Sequence, residues 1–418
     1  MRPRCNSALR FNLALLSFGA PALLCACFGS NNGTTTPSAP PPVLNTMAVT
    51  VDSGPAAATG QINHAYVTVK VCSPGSQAQC ASIDHVLLDT GSWGLRLVGS
   101  VLAANSIALS AEHDAQNQSI EECATFGGGQ TWGPVVLADI SMAGEVAASV
   151  PLQVMDDNAA GAPPPAACGA NGTLINDVSG FGANGVLGIG VFVQDCGAAC
   201  VAGTTPLPIY FGCTSTGTCT AENVALSAQV TNPVAFFAAD NNGVIIDLPN
   251  TQNANGDATL FGEITFGLAT QTDNALPLTG LTVLGADSNG EFTATYNGGT
   301  TALPALLDSA TDSYAFDDPS IAACTTGDFI GYYCPAVSPQ SLFAVNTGAG
   351  ANGAVSTVQF AIADPSAFVV GAAAFVNLGG GGGSTSFTWG MPFFYGRKIF
   401  IAIDQRSGGG FTGPYYAY

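Results

Sequence analysis

Apolar and polar positions trade places along residues 61–72, where Tyr66, Val67, Val69 and Val71 mark a strand. Ser73-Pro74-Gly75-Ser76 supplies a turn, and Ala81 to Leu88 returns as a second apolar strand that ends on Asp89. Cys72 and Cys80 flank this turn and are expected to staple the hairpin. Residues 124–140 run from Phe126 through Gly127-Gly128-Gly129 into the apolar segment Val135-Val136-Leu137, which predicts another hairpin. In Gly185-Val186-Leu187-Gly188-Ile189-Gly190 short apolar stretches separated by glycines let backbones approach closely. Further strands are expected at Val244–Ile246 and Leu260–Phe266, with a turn at Asn241-Asn242-Gly243. Residues 191–232 hold four cysteines and no clear period, and read as a disulfide-tied excursion between lobes.

The hydrophobic pattern around Asp89 then repeats. Leu87-Leu88-Asp89-Thr90-Gly91-Ser92 and Leu306-Leu307-Asp308-Ser309-Ala310-Thr311 both run apolar, apolar, Asp, hydroxyl, small, hydroxyl, 219 positions apart. A repeat at half-chain spacing predicts two homologous lobes. Each Asp closes an apolar run, where a buried charge needs donors. Gly91 can offer its N–H to the Asp89 carboxylate, and Ser92 a second donor.

Composition agrees with an all-β chain. Of 418 residues, 47% are hydrophobic and only 9% charged, and Gly 52 with Pro 25 provide many turns. The N-terminus reads as a targeting segment: Arg2, Arg4 and Arg10, then an apolar run from Phe11 to Leu24 too short for a comfortable membrane span. Leu24-Cys25-Ala26-Cys27 resembles a bacterial lipobox, with Cys27 the lipidated residue. The expected organisation is a lipoprotein signal peptide over 1–26, a lipid-anchored flexible linker over 27–44, and lobes over 45–235 and 236–418. This implies an exported chain, lipid-anchored in the cell envelope and touching membrane through that anchor alone. After cleavage five basic residues face 28 acidic ones, a formal charge of −23 that repels nucleic acid and anionic membrane surfaces. Ten cysteines then remain, an even number that implies disulfides. Cys196-x3-Cys200 and Cys213-x5-Cys219 lack zinc-ribbon spacing and have no nearby His, so no metal and no cofactor is expected.

The Asp89 stretch resembles the active-site loop of pepsin-like aspartic peptidases, and the Asp308 stretch resembles its partner. The resemblance covers most of residues 60–405 and implies a bilobed fold with a cleft between the lobes. It implies that Asp89 and Asp308 form a catalytic dyad. Thr90 and Ser309 would tie the loops together, Ser92 and Thr311 would donate to the carboxylates, and Gly91 and Ala310 would occupy the tight turns. The hairpin at 124–140 is similar to the flap that closes over substrate, with Phe126, Gly127, Gly128 and Trp132 against the substrate. A disulfide between Cys324 and Cys334 after the second loop is likewise implied. Two departures stand out: Phe126 occupies the usual place of a Tyr, and Ala310 that of a Gly. If the second turn needs positive φ, Ala310 would add about 1–2 kcal/mol of strain.

The lipoprotein signal, the Cys-flanked hairpin, Asp-Thr-Gly-Ser and the ending Gly390-Met391-Pro392-Phe393-Phe394-Tyr395-Gly396-Arg397 together resemble DUF3443, an uncharacterised family of bacterial exported proteins. The expected function is an aspartic endopeptidase acting on peptide or protein as a monomer. The alternative is an inactive pepsin-fold lipoprotein that binds peptide, glycan or another enzyme. Gly180-Phe181-Gly182-Ala183-Asn184-Gly185 matches a dinucleotide fingerprint without its strand–helix context. A serine hydrolase is disfavoured, because Gly-x-Ser-x-Gly is absent and His64, His85 and His113 are the only imidazoles.

Overall fold

The computed structural model describes residues 44–157, 161–169, 172–277 and 279–418. The expected signal peptide, Cys27 and nearly all of the linker lie outside these residues. The described residues, from Leu44 to Tyr418, belong to one compact unit.

The first half runs β1 (Thr46–Val51), β2 (Ala65–Cys72), β3 (Cys80–Asp89), β4 (Trp93–Val98), β5 (Ser119–Phe126), β6 (Gly129–Met142), β7 (Glu145–Met155) and β8 (Gly185–Ile189). Strands β9 (Tyr210–Cys213) and β10 (Cys219–Ala221) follow. The second half runs β11 (Gly243–Leu248), β12 (Leu260–Phe266), β13 (Val283–Gly285), β14 (Phe292–Tyr296), β15 (Ala302–Leu307), β16 (Tyr314–Phe316), β17 (Gln340–Thr347) and β18 (Val355–Ile362). It closes with β19 (Gly379–Gly381), β20 (Phe387–Trp389), β21 (Arg397–Ala402), β22 (Ser407–Gly408), β23 (Phe411–Thr412) and β24 (Tyr415–Ala417).

The two halves share one topology. Strand β3 delivers Asp89, pairs antiparallel with β2 and runs parallel to β8, which is antiparallel to β4. Strand β15 delivers Asp308 in the same way: antiparallel to β14, parallel to β20, with β20 antiparallel to β16. The parallel β4–β7 pair is matched by the parallel β16–β19 pair, and β2–β6 by β14–β17. The sequence repeat is thus a repeat of folding units. Strands from both halves also share one sheet, in the order β2-β1-β12-β11-β21-β24.

Glycine explains how the Asp loops pack so closely on their neighbours. Adding a Cβ at Gly188 of β8 would bring it to 2.7 Å from Trp93 backbone, and at Gly390, after β20, to 2.1 Å from the Ser313 carbonyl oxygen. Aliphatic side chains fill the first half of the core: Val67, Val69, Leu88, Leu95 and Leu187 are buried. Aromatic rings pack more of the second, where Phe316, Phe360, Phe387 and Trp389 contact one another.

All ten cysteines expected in disulfides are paired. Cys72–Cys80 closes the first hairpin, and Cys324–Cys334 follows the second Asp loop. Cys123–Cys168 spans 45 positions and ties β5 to the segment after β7. Cys196–Cys200 and Cys213–Cys219 leave residues 191–232 no free thiol. That segment is more than an excursion, because β9 pairs with β5 and widens the sheet behind the second hairpin. Among the described residues no helix is long and apolar enough to cross a membrane. Disulfides of this number suit an oxidising compartment.

Loop-closure entropy ranks these bridges. Replacing Cys123 and Cys168 by Ala should cost about 4 kcal/mol, against about 2 kcal/mol for Cys196 and Cys200. Guanidinium unfolding of the two double variants checks the order.

Candidate active site

The two Asp loops meet and grip each other. The Thr90 hydroxyl donates to the Leu307 carbonyl at 2.7 Å and accepts from the Ser309 N–H at 3.0 Å. Ser309 returns both bonds: its hydroxyl donates to the Leu88 carbonyl at 2.6 Å and accepts from the Thr90 N–H at 3.1 Å. Thr90 and Ser309 are buried, so each of these four groups would otherwise lie dry and unpaired.

Beside this grip each carboxylate collects matching donors. Asp89 accepts from the Gly91 N–H at 2.7 Å and from the Ser92 hydroxyl. Asp308 accepts from the Ala310 N–H at 2.9 Å and from the Thr311 hydroxyl at 2.7 Å. The Asp308 carboxyl packs against Gly91 of the Asp89 loop, so the two carboxyl groups act on each other. Burial first, then the charge of Asp308, push Asp89 up to about 7, against the pull of Ser92 and Gly91. Asp89 is 4% exposed, so desolvation has a large effect there. Asp89 therefore keeps its proton into the neutral range.

Neither Gly91 nor Ala310 adopts positive φ, so the strain considered for Ala310 does not arise. Gly91 is needed for a different reason: a Cβ there would lie 2.7 Å from the Asp308 carboxyl carbon. The Ala310 methyl packs against the cluster of Tyr66, Leu87, Ala183 and Val186.

A cavity of about 550 Å³ opens over the pair. Leu87, Val186, Ser179–Gly182 and the hairpin residues Phe126, Gly127 and Gly128 line it. Trp132 does not. Strand register sets Trp132 opposite Cys123 in the β5–β6 hairpin, and side chains alternate along β5, so it occupies the face away from Phe126. There it is buried with Phe211 and the Cys123–Cys168 bridge, and its indole N–H donates to the Ala162 carbonyl at 2.7 Å. The expectation that Trp132 covers the cleft is corrected accordingly.

Several residues of the site carry no signal in the sequence. Arg96, on β4, donates to Glu122 of β5, to Asp195 and to the Trp93 carbonyl, and its guanidinium lies 5.6 Å from the Phe126 ring centroid. It fastens the hairpin strand to the chain that leaves the Asp89 loop. Asp195, buried first and then repelled by Glu122, is pushed well above the carboxylate range despite Arg96. His64 lines the cavity and faces the Tyr66 hydroxyl at 3.2 Å. Burial pulls its pKa down, against the pull of Asp312. His85 lies away from the dyad, between Asp52 and Asp84.

Two topologically equivalent β halves, joined through paired Asp loops, define an all-β, bilobed, pepsin-like fold. The chain belongs to the DUF3443 family, described as a protein of unknown function, whose model matches residues 41–418. Among solved structures it is similar to the aspartic proteinase from Irpex lacteus, at 13% identity and a TM-score of 0.49, over 89% of this chain and 96% of that one. No curated protein matches the chain in sequence.

Thr90→Val keeps the shape of the grip but strands the Leu307 carbonyl and the Ser309 N–H. It should cost about 2–3 kcal/mol, read by urea unfolding.

Proposed function

We propose that the protein is an exported aspartic endopeptidase that hydrolyses peptide bonds with Asp89, Asp308 and an activated water. The observation that carries this reading is the pair of facing carboxyl groups, each with its own hydroxyl and amide donors, sharing a cavity with the tip of a hairpin. Two carboxyl groups this close do not both ionise readily, so one stays protonated as acid while the other is a base. The ionised member takes a proton from water held between them, and the protonated member donates to the scissile carbonyl oxygen. Water adds to the carbonyl carbon, and a proton passed to the leaving nitrogen lets the C–N bond break. No covalent enzyme intermediate is involved.

Phe126 lacks the hydroxyl a Tyr would bring, so the hairpin contacts substrate through its ring and the backbone of Gly127 and Gly128. The buried link from Arg96 to Glu122 holds this strand in place without that hydroxyl. Burial also pushes Glu121 and Glu222 up to about 7. Because their folded pKa exceeds the unfolded one, their stabilising effect is complete in acid and is lost as pH rises toward 7. That direction suits a protein working in acid. On this reading the lipid on Cys27 holds the enzyme at the cell envelope.

Cleavage of an unfolded protein substrate, followed from pH 2 to 8, tests the proposal. Activity should be highest in acid and fall above about pH 7, where the shared proton leaves. Asp89→Asn and Asp308→Asn should each lower it at least roughly a thousandfold. A disulfide-intact protein that cleaves nothing at any pH, yet still retains peptides, would instead be a binding protein on this fold.

A further inference from the structure

We propose that the Asp312 end of the cleft is a subsite for a cationic side chain, the ammonium of a lysine or the guanidinium of an arginine in the peptide. This rests on the peptidase reading and adds the class of substrate residue the cleft selects.

Asp312 lies four residues beyond Asp308 and lines the same cavity. It is held from both halves of the chain. The Asn63 amide donates to its backbone carbonyl at 2.6 Å. Asn63 is fully buried, and its own oxygen accepts from the Phe375 N–H and the Tyr395 hydroxyl. The Tyr332 hydroxyl donates to the Asp312 Oδ2. Burial and the neighbouring Asp312 push that phenol up, so Tyr332 remains a donor. Oδ1 has no protein donor among the described residues and remains to accept from a ligand.

The surroundings leave this charge without a resident counterion. Lining the cavity are three carboxyl groups, Asp89, Asp308 and Asp312, and no Lys or Arg. His64, the one imidazole there, has its pKa lowered by burial, against the pull of Asp312. An aliphatic stem would pass along Leu87, Val186 and Ala310 while its charged head meets Asp312. A cation here gains a charge-assisted hydrogen bond in a partly water-excluded site. A carboxylate side chain meets the single charge of the dyad and that of Asp312 instead, which adds discrimination by repulsion.

The test is binding, so it does not depend on turnover. Two fluorescein-labelled, uncleavable peptides carrying a statine unit differ only in lysine or norleucine at the positions flanking that unit. Fluorescence polarisation with the disulfide-bonded protein should find the lysine peptide about tenfold tighter. In Asp312→Asn, which keeps an acceptor for Tyr332, that ratio should fall to about one while norleucine affinity stays the same. A thermal melt confirms that the variant is folded. Equal affinities in the unaltered protein, or a tenfold ratio retained in Asp312→Asn, overturn the subsite alone. Failure of both peptides to bind overturns the peptide-cleft reading beneath it, and the subsite with it.

Discussion

Everything else in the site depends on four hydrogen bonds between Thr90, Ser309 and the strands that deliver them. A hydroxyl is the smallest side chain that can donate to one backbone group and accept from another. Each loop uses one to satisfy the opposite loop, so neither is complete alone. The grip sets the spacing of the two carboxyl groups. That spacing, together with burial, pushes Asp89 up to about 7. It also brings the Asp308 carboxyl so near the first loop that only glycine fits at 91.

The surrounding sheet holds this arrangement stiffly. On each side the Asp-bearing strand lies parallel to a strand with a closely packed glycine, Gly188 within β8 and Gly390 just after β20, and the chain leaving the loop pairs antiparallel to that same strand. The hairpin above the cleft is fixed by other means. Cys123–Cys168 covers its outer face, and Arg96 with Glu122 braces the inner one. A buried ion pair is weak evidence of stability, but removing either partner would strand a buried charge.

How much of this could be read from the sequence depended on whether the signal was local. The Asp89 and Asp308 stretches repeat letter class by letter class, so the two halves and their loops were legible. So was the close backbone packing at Gly185–Gly190, because glycines spaced among apolar residues imply it. Trp132 was misplaced because three consecutive glycines hide the register of the hairpin. A shift of one residue moves a side chain to the opposite face. The Ala310 strain was inferred from residue type, whereas the turn uses ordinary φ and the real constraint is the neighbouring carboxylate at Gly91. Arg96, Glu122 and Asp195, like His64 and Asp312, are joined across long stretches of chain. Single polar residues of this kind give no period and no motif until the fold brings them together.

The central claim is that Asp89 and Asp308 share one proton. Carbon-13 NMR of aspartate-labelled protein, with the dyad resonances assigned from Asp89→Asn and Asp308→Asn, measures it directly. The account predicts a carboxyl titration near pH 7 that moves to lower pH when Asp308 becomes Asn, because one cause of the shift is removed. Two carboxyl groups that both titrate near pH 4, each indifferent to loss of the other, would contradict it.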